Sequence, residues 1–119
     1  MPDDRPVLVL IGADPRVSHR ANEAMRIGLG IVAGENDVVF VLRGAGLHLL
    51  DADTDDLVDG DDIAKFRANL KRLDVPFHVE EEEIPAALDW NADAHPLRRV
   101  SRPEVCRLVR DARRLLVFP

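Results

Sequence analysis

The chain has 119 residues, a formal net charge of −6 and a hydrophobic fraction of 46%. That length suits one domain spanning 1–119, and the hydrophobic fraction excludes an intrinsically disordered chain. The acidic balance and the aromatic fraction of 4% argue against nucleic-acid binding, which favours basic surfaces and stacked aromatic rings.

Membrane insertion and secretion are also not expected. No apolar run approaches the roughly 18 residues that would span a bilayer. Residues 1–5 lack the basic-then-apolar pattern of a signal peptide. Cys106 is the only cysteine, so no disulfide can form within the chain. We therefore expect a cytoplasmic protein.

The first half of the chain alternates between strand and helix patterns. Residues Val7–Ile11 and Val38–Leu42 are continuous apolar runs, which is typical of parallel strands covered on both faces. Between them, apolar residues at helical spacing predict a helix over 18–33. Gly28 and Gly30 fall inside that helix, although each lowers helix stability by about 1 kcal/mol relative to Ala. We interpret both as positions where the helix packs closely on the sheet.

The second half repeats the alternation. Apolar residues at helical spacing predict a helix over 63–73, which ends before Pro76. Short apolar segments at 77–79, 97–100 and 115–118 predict three further strands.

A last helix is predicted between the fourth and fifth strands. Ser101 and Glu104 have the spacing of a capping box, and Val105 and Leu108 would belong to the buried stripe. Strands that alternate with helices indicate βαβ units. The predicted fold class is therefore α/β, a three-layer α/β/α sandwich with a parallel sheet of about five strands.

The order of these elements, together with several local sequences, resembles the DsrE/DsrF-like family of sulfur-relay proteins. One matching piece is the first strand, which runs into Gly-Ala-Asp-Pro at 12–15 and a helix that contains Ala21 and Met25. Others are the second strand, which leads to Gly-Ala-Gly-Leu at 44–47, and the closing segment 104–118. The resemblance covers nearly the whole chain.

The resemblance implies a small parallel α/β subunit that assembles into dimers, trimers or hexamers. Catalytic members of the family carry a cysteine just after the third strand, which accepts and passes on a persulfide sulfur. Here that stretch is 79–83, and Glu80 or a neighbouring glutamate stands in place of the thiol. A carboxylate cannot carry sulfane sulfur, because persulfide chemistry needs a thiolate.

Some subunits of the family lack the cysteine and act as assembly partners. We therefore expect a non-catalytic, oligomeric binding or assembly subunit connected with sulfur relay rather than an enzyme. The partners implied are a second copy or a homologous subunit, and a sulfur-carrier protein. No cofactor is expected.

Cys106 keeps a second function open, that of a sulfurtransferase or persulfide carrier. It falls early in the last predicted helix, where Arg102, Arg107 and the helix dipole would favour a thiolate. It also lies beside the predicted buried stripe, and a buried or half-buried inert cysteine is the commoner situation.

Two acidic runs raise the question of a metal site. Residues 51–62 place aspartates at several positions of a calcium loop, but Asp56 stands where the turn needs glycine and Asp62 where a bidentate glutamate is needed. We expect no metal site there. The run 80–83 is expected to be an exposed loop or strand edge. The alternatives are a carboxylate pair for acid–base or metal chemistry, and an interface with the arginine-rich C-terminal surface of a neighbouring subunit.

Glycine-containing turns follow the first two strands, at the sheet edge where α/β proteins bind ligands. Neither turn has the spacing of a phosphate or dinucleotide motif, but an arginine near a helix N-terminus can hold a small anion. This keeps open a third function, a small-molecule or anion-binding flavodoxin-like module. The ligand-binding candidates are Gly12, Asp14, Arg16, Gly44, Gly46 and, from the acidic run, Glu80.

Overall fold

The computed structural model describes residues 4–87 and 89–119. The prediction that no signal peptide is present depends partly on residues 1–3, which lie outside the described residues. Within the described ranges, no helix combines the length and the apolar character needed to cross a membrane.

Five parallel strands form one sheet at the centre of the fold. In chain order they are β1 (Val7–Ile11), β2 (Val38–Leu42), β3 (Phe77–Glu80), β4 (Leu97–Val100) and β5 (Arg114–Phe118). Their spatial order is β4-β3-β2-β1-β5. The uninterrupted apolar sequences of β1 and β2 follow from this order, because both strands have a neighbour on each side and are covered on both faces.

In the described part of the chain, three α-helices cover the two faces of the sheet. They are α1 (Arg20–Ala33), α2 (Gly60–Arg72) and α3 (Arg102–Asp111). The buried side chains of α1 and α2 pack on one face around Phe40 and Phe77. Val105 of α3 packs on the opposite face with Leu8. The predicted three-layer α/β/α sandwich is therefore confirmed.

The path of the chain explains this distribution of helices. It steps across the sheet from β1 to β4 in one direction and then returns to place β5 beside β1. Because crossovers between parallel strands are right-handed, α1 and α2 fall on one face and α3 falls on the other. The connection 81–96 has no α-helix among its described residues, and its Ile84 and Trp90 pack on the face of α1 and α2. The chain segments that leave β3 and β4 therefore diverge to opposite faces.

The two glycines of α1 have different roles. A Cβ at Gly28 would lie less than 3.0 Å from ring atoms of buried Phe40, so this glycine lets α1 lie directly on β2. A Cβ at Gly30 would meet no described atom within 4 Å outside the adjoining backbone of its own helix. The close-packing interpretation is correct for Gly28 and wrong for Gly30.

Local sequence predicted the start of α3 correctly but placed the start of α1 two residues too early. α1 begins at Arg20 rather than at residue 18, and Ser18 Oγ accepts a hydrogen bond from the Arg20 N–H at 3.1 Å in the turn before the helix. α3 begins after Ser101, whose Oγ accepts a hydrogen bond from the Glu104 N–H at 3.3 Å. The predicted cap of α3 is confirmed, and its Val105 is buried as expected.

The layer formed by α3 leaves part of the edge strand β5 uncovered. Leu115 and Val117 are 41% and 47% exposed, whereas the alternate residues Leu116 and Phe118 pack on the face of α1 and α2. Because side chains alternate along a strand, Leu115 and Val117 lie on the α3 face. We call these two residues the β5 strip, an apolar surface at an open sheet edge.

Candidate functional site

The carboxyl ends of the parallel strands bring several predicted site residues to one edge of the sheet. Gly12 follows β1, Gly44 lies just beyond β2, and Glu80 ends β3. Since β3, β2 and β1 are neighbours in the sheet, these three positions form a row along that edge. This is the edge at which open α/β sheets bind ligands.

A cleft of about 500 Å³ opens at this edge between the ends of β3 and β4. It lies where the two following segments diverge to opposite faces of the sheet, and such a divergence is the usual position of a ligand site. We call it the β3–β4 cleft. Its lining residues are Glu80, Glu81, Glu82, Arg99, Val100, Ser101, Arg102, Pro103 and Glu104.

Glu80 is the buried acidic group of this cleft, with only 4% of its surface exposed. Its Oε1 lies 3.4 Å from Nη2 of Arg43, and its Oε2 lies 3.6 Å from Nε of Arg102. Both distances are longer than a normal hydrogen bond, and Oε1 accepts no hydrogen bond from the described residues. Glu80 is therefore held by charge, and its Oε1 and the Nε of Arg43 are both buried without a hydrogen-bond partner among the described residues.

The prediction of an exposed loop or strand edge is wrong for Glu80. β3 continues to Glu80, so alternation places its side chain on the same sheet face as His78, which lines a second surface cavity together with Leu108 of α3. A carboxylate is tolerated at this depth because cations from two other elements compensate its charge.

The glutamates that follow form the short 3-10 turn Glu81–Glu83. Glu83 Oε2 accepts a hydrogen bond from the Gly44 N–H at 2.6 Å, and Glu83 Oε1 lies 3.6 Å from Nη2 of Arg43. Arg43 therefore bridges Glu80 and Glu83 and joins the segments that follow β2 and β3. The arginine-rich C-terminal segment does meet the acidic run, and within this chain it does so through Arg102.

Asp14 and Arg16 pair with each other in the turn after β1. Arg16 donates from Nε and Nη2 to the Asp14 carboxylate at 3.0 and 2.9 Å. These side-chain hydrogen bonds hold the pKa of Asp14 below its ordinary value, although partial desolvation opposes the shift. Because a carboxylate already occupies the fork of the guanidinium, this turn does not favour the predicted anion site.

The two glycines after β2 are explained by backbone geometry. Gly44 has a φ of 52°, in the left-handed region that favours glycine. A Cβ at Gly46 would lie less than 3.0 Å from the carbonyl oxygen of Ile11, so the 3-10 segment Gly44–Leu50 packs directly against the end of β1. Backbone geometry therefore requires glycine at both positions of this sheet edge.

Cys106 is exposed on α3 and does not line the β3–β4 cleft. The expectation of a buried or half-buried thiol is wrong, because α3 turns Val105 towards the sheet and leaves the next residue in solvent. The nearby cations are engaged elsewhere: Arg102 contacts Glu80, and Arg107 lies 3.9 Å from Glu104.

The aspartate-rich segment 51–62 folds as a 3-10 turn, Thr54–Asp56, followed by the first turn of α2. Asp53 Oδ1 accepts a hydrogen bond from the Asp55 N–H at 2.9 Å, which turns that carboxylate towards its own backbone. Across 4–87 and 89–119, no group of three or more His, Cys, Asp or Glu is arranged to hold a metal ion.

The architecture is similar to that of a solved protein structure, the crystal structure of the YchN protein from E. coli. The match has a TM-score of 0.72 and 13% sequence identity, and it covers 96% of this chain and 99% of the other. The two proteins share a fold. YchN has a DsrE/DsrF-like fold, so the match supports the fold expected from the sequence resemblance. No family model and no curated protein matches the sequence.

Sequence reasoning missed a buried network that fixes the connection 81–96. Arg67 of α2 is 7% exposed and donates to two backbone carbonyl oxygens and, at 2.7 Å, to Oδ2 of Asp93. The nearby His95 packs on the ring of Phe77, with ring centroids 4.6 Å apart, and its Nε2 contacts the Val75 carbonyl oxygen at 3.0 Å. Burial lowers the pKa of His95, which favours the neutral ring.

The cations that contact Glu80 were also missed, although the sequence held a clue to one of them. Arg43 follows β2 directly, and Glu80 ends β3, so the two meet as soon as β2 and β3 are taken as neighbouring parallel strands. Arg67 has a similar clue, since it lies on the apolar stripe of α2 between Ile63 and Leu70. A cation on a buried stripe indicates an internal partner.

Proposed function

We propose that this chain is a non-catalytic, oligomeric binding subunit with a DsrE/DsrF-like fold, connected with sulfur relay. The observation that carries the proposal is the position of Glu80. It ends β3, next to the place where the resemblance puts the sulfur-carrying cysteine of catalytic members. The cleft at this edge is thus lined by carboxylates and arginines and by no thiol among its residues.

The chemistry of this position supports binding rather than sulfur transfer. A persulfide forms on a thiolate, and the carboxylate of Glu80 has no equivalent reaction. Glu80 is buried and held between Arg43 and Arg102, so it links the end of β3 to the segment that follows β2 and to α3. Such a group serves to position side chains and to recognise a partner.

The β5 strip supports the oligomeric part of the proposal. Leu115 and Val117 lie side by side on an edge strand whose outer backbone groups have no neighbouring strand in the described sheet. Open apolar edges are usually covered, and a second copy or a homologous subunit would cover this one. A sulfur-carrier protein is the further partner that the sulfur-relay connection implies.

Oligomeric state tests this part directly. We expect light scattering of the purified protein to give a mass above that of one chain. Val117→Lys, which places a charge on the β5 strip, should lower that mass. Val17→Lys is the matched control, because Val17 is also apolar and 78% exposed but lies outside the strip. A single-chain mass for the unmodified protein, or equal effects of both substitutions, would contradict assembly through this edge.

The sulfur chemistry is tested on the same sample. After incubation with a persulfide donor, the proposal predicts no stable gain of about 32 Da, the mass of one sulfur atom, on Cys106. The alternative function, a persulfide carrier, is favoured by one observation, the exposure of Cys106. That alternative predicts the adduct, its loss in Cys106→Ser, and transfer of the sulfur to an acceptor thiol.

A further inference from the structure

The end of the connection 81–96 is held in place by its contacts rather than by its own backbone preference. We call residues 90–95 the 90–95 segment. Asn91 and Ala94 both have a φ of 54°, in the left-handed region, and this conformation is unfavourable for alanine above all. A residue other than glycine stays in it only where the surrounding structure determines it. The 90–95 segment therefore depends on its anchors.

Hydrogen bonds anchor the start of this segment and clamp its two ends together. Trp90 donates from Nε1 to the Leu47 carbonyl oxygen at 2.8 Å, and the Asn91 N–H donates to the Leu50 carbonyl oxygen at 2.8 Å. Asn91 also donates from Nδ2 to the His95 carbonyl oxygen at 3.1 Å, and its Oδ1 accepts from the His95 N–H at 3.0 Å. Because of this clamp, the His95 ring and the Asn91 backbone move together.

The ring of His95 is the anchor at the other end. His95 is 4% exposed and packs on the ring of Phe77, with its Nε2 3.0 Å from the Val75 carbonyl oxygen. Since a carbonyl oxygen only accepts, Nε2 carries the hydrogen, and Nδ1 of the neutral ring carries none. A second proton would therefore have to be added at Nδ1.

The surroundings of His95 are unfavourable to that second proton. A cavity of about 240 Å³ adjoins the ring, and its charged lining groups are Arg67 and Lys71 of α2 and Asp93 of the segment itself. The Asp93 carboxylate is paired with Arg67 at 2.7 Å, and its backbone carbonyl oxygen accepts from Lys71. Burial lowers the pKa of His95, the contact with the Val75 carbonyl oxygen opposes this, and both cations lower the pKa further. A ring that has left this site for water accepts a proton more readily.

We propose that the 90–95 segment is a pH-sensitive latch, which protonation of His95 releases from α2 and from the sheet. The packed ring binds a proton poorly and the released ring binds it normally, so a fall in pH below 6.5 favours the released form. The same connection begins with Glu81 and Glu82, which line the β3–β4 cleft. The latch thus makes the segment that forms one wall of the cleft sensitive to acidity.

Native-state hydrogen exchange measured by NMR tests the latch through the Asn91 N–H. This amide is protected by its bond to the Leu50 carbonyl oxygen, so its protection factor gives the ratio of closed to open forms. Protonation of a released imidazole can make opening up to about eightfold more favourable at pH 5.5 than at pH 7.0. We expect the protection factor of Asn91 to fall by about threefold to eightfold over this range.

Two variants assign the effect to one histidine. In His95→Gln the side-chain amide can still donate to the Val75 carbonyl oxygen but does not titrate, so the protection factor of Asn91 should change by less than about twofold. His78→Asn is the matched control. His78 lies on the opposite sheet face, and asparagine can replace its contact from Nδ1 to the Phe40 carbonyl oxygen at 3.2 Å. This variant should keep the pH dependence of Asn91.

The amide of Val9, a fully buried residue of β1, reports global unfolding in the same spectra. At pH 5.5 the protection factor of Asn91 should be at least about tenfold lower than that of Val9, and low urea should leave it unchanged, because a local opening exposes little surface. The latch is refuted if Asn91 matches Val9 in protection and urea dependence, if its protection does not fall between pH 7.0 and 5.5, or if the fall persists in folded His95→Gln. If His95→Gln does not fold, the first two comparisons on the unmodified protein decide the question.

Discussion

Alanine substitutions at Gly28 and Gly30 form a matched pair within one helix. Both residues lie in α1, two positions apart, and the local sequence alone gives no reason to expect different effects of alanine at the two positions. The structure separates them, because Gly28 faces the ring of Phe40 while Gly30 faces open space. Phe40 is fully buried and packs edge-to-face on Phe77, with centroids 5.6 Å apart, so its ring has little room to move away.

The expected effects have opposite signs. Overpacking a tight core destabilises a protein by about 1–3 kcal/mol. Alanine is a better helix former than glycine, and this offsets about 1 kcal/mol of the loss. Because a Cβ at Gly28 would overlap two ring atoms of the buried Phe40, the cost of overpacking falls in the upper part of this range, and Gly28→Ala should lower the free energy of unfolding by about 1–2 kcal/mol. Gly30→Ala improves helix propensity without overpacking, so it should raise the free energy of unfolding by about 0.5–1 kcal/mol. For a domain of this size these values correspond to a Tm lower by about 4–8 °C and higher by about 2–4 °C.

Urea unfolding followed by circular dichroism measures both free energies, and scanning calorimetry measures both Tm values. The slope of the urea transition should stay unchanged, since neither substitution alters the surface exposed on unfolding. If Gly28→Ala equals or exceeds the wild-type stability, α1 does not lie on β2 as closely as described. If both variants lose stability equally, the contrast between the two positions is refuted.

Three further predictions concern the elements that frame the site. Arg67→Ala should lower the free energy of unfolding by about 2–3 kcal/mol in urea titrations, because it leaves buried carbonyl oxygens without a donor, whereas the exposed Arg72→Ala should change it by less than about 0.5 kcal/mol. Ser101→Ala should lower it by about 1 kcal/mol through loss of the α3 cap, and an undiminished stability would refute that role. Burial lowers the pKa values of His78 and His95, so the unfolded chain binds more protons than the folded one just below pH 6.5. Stability measured against pH should therefore be highest above 6.5 and fall as the pH drops towards the folded-state pKa values; a flat profile from pH 7.5 to 5 would contradict this.

The elements that sequence predicted well are those whose signals are local. Val7–Ile11 and Val38–Leu42 are apolar at every position, and only a strand covered on both faces suits such a run. Ser101 and Glu104 form their cap within one turn of chain, so their spacing was sufficient. The sheet edge that carries the cleft also followed from the alternation of strands and helices.

The wrong predictions concern whether a side chain is buried or exposed, because this depends on contacts with residues far away in the sequence. Glu80 is buried because β3 extends one residue beyond its apolar segment and α3 lies above it, and neither fact is encoded near residue 80. Cys106 is exposed because α3 docks through Val105, whose buried neighbours Leu8, Val41 and Val100 come from three different strands. The partners of Glu80 come from two remote segments and depend on strand order.

The divergence of the chain after β3 and β4 assigns the two walls of the cleft to different structural layers. The wall with Glu81 and Glu82 begins the long connection 81–96, which has no α-helix in its described residues, whereas the wall with Arg99 and Arg102 is formed by the end of β4 and by a capped helix docked on the sheet. Insertions or deletions in 81–96 can therefore remodel the acidic side while Arg99 and Arg102 keep their places. Among relatives with this topology, we expect the wall formed by 81–96 to vary, and with it the size of ligand that fits. We expect the wall formed by β4 and α3 to stay the same.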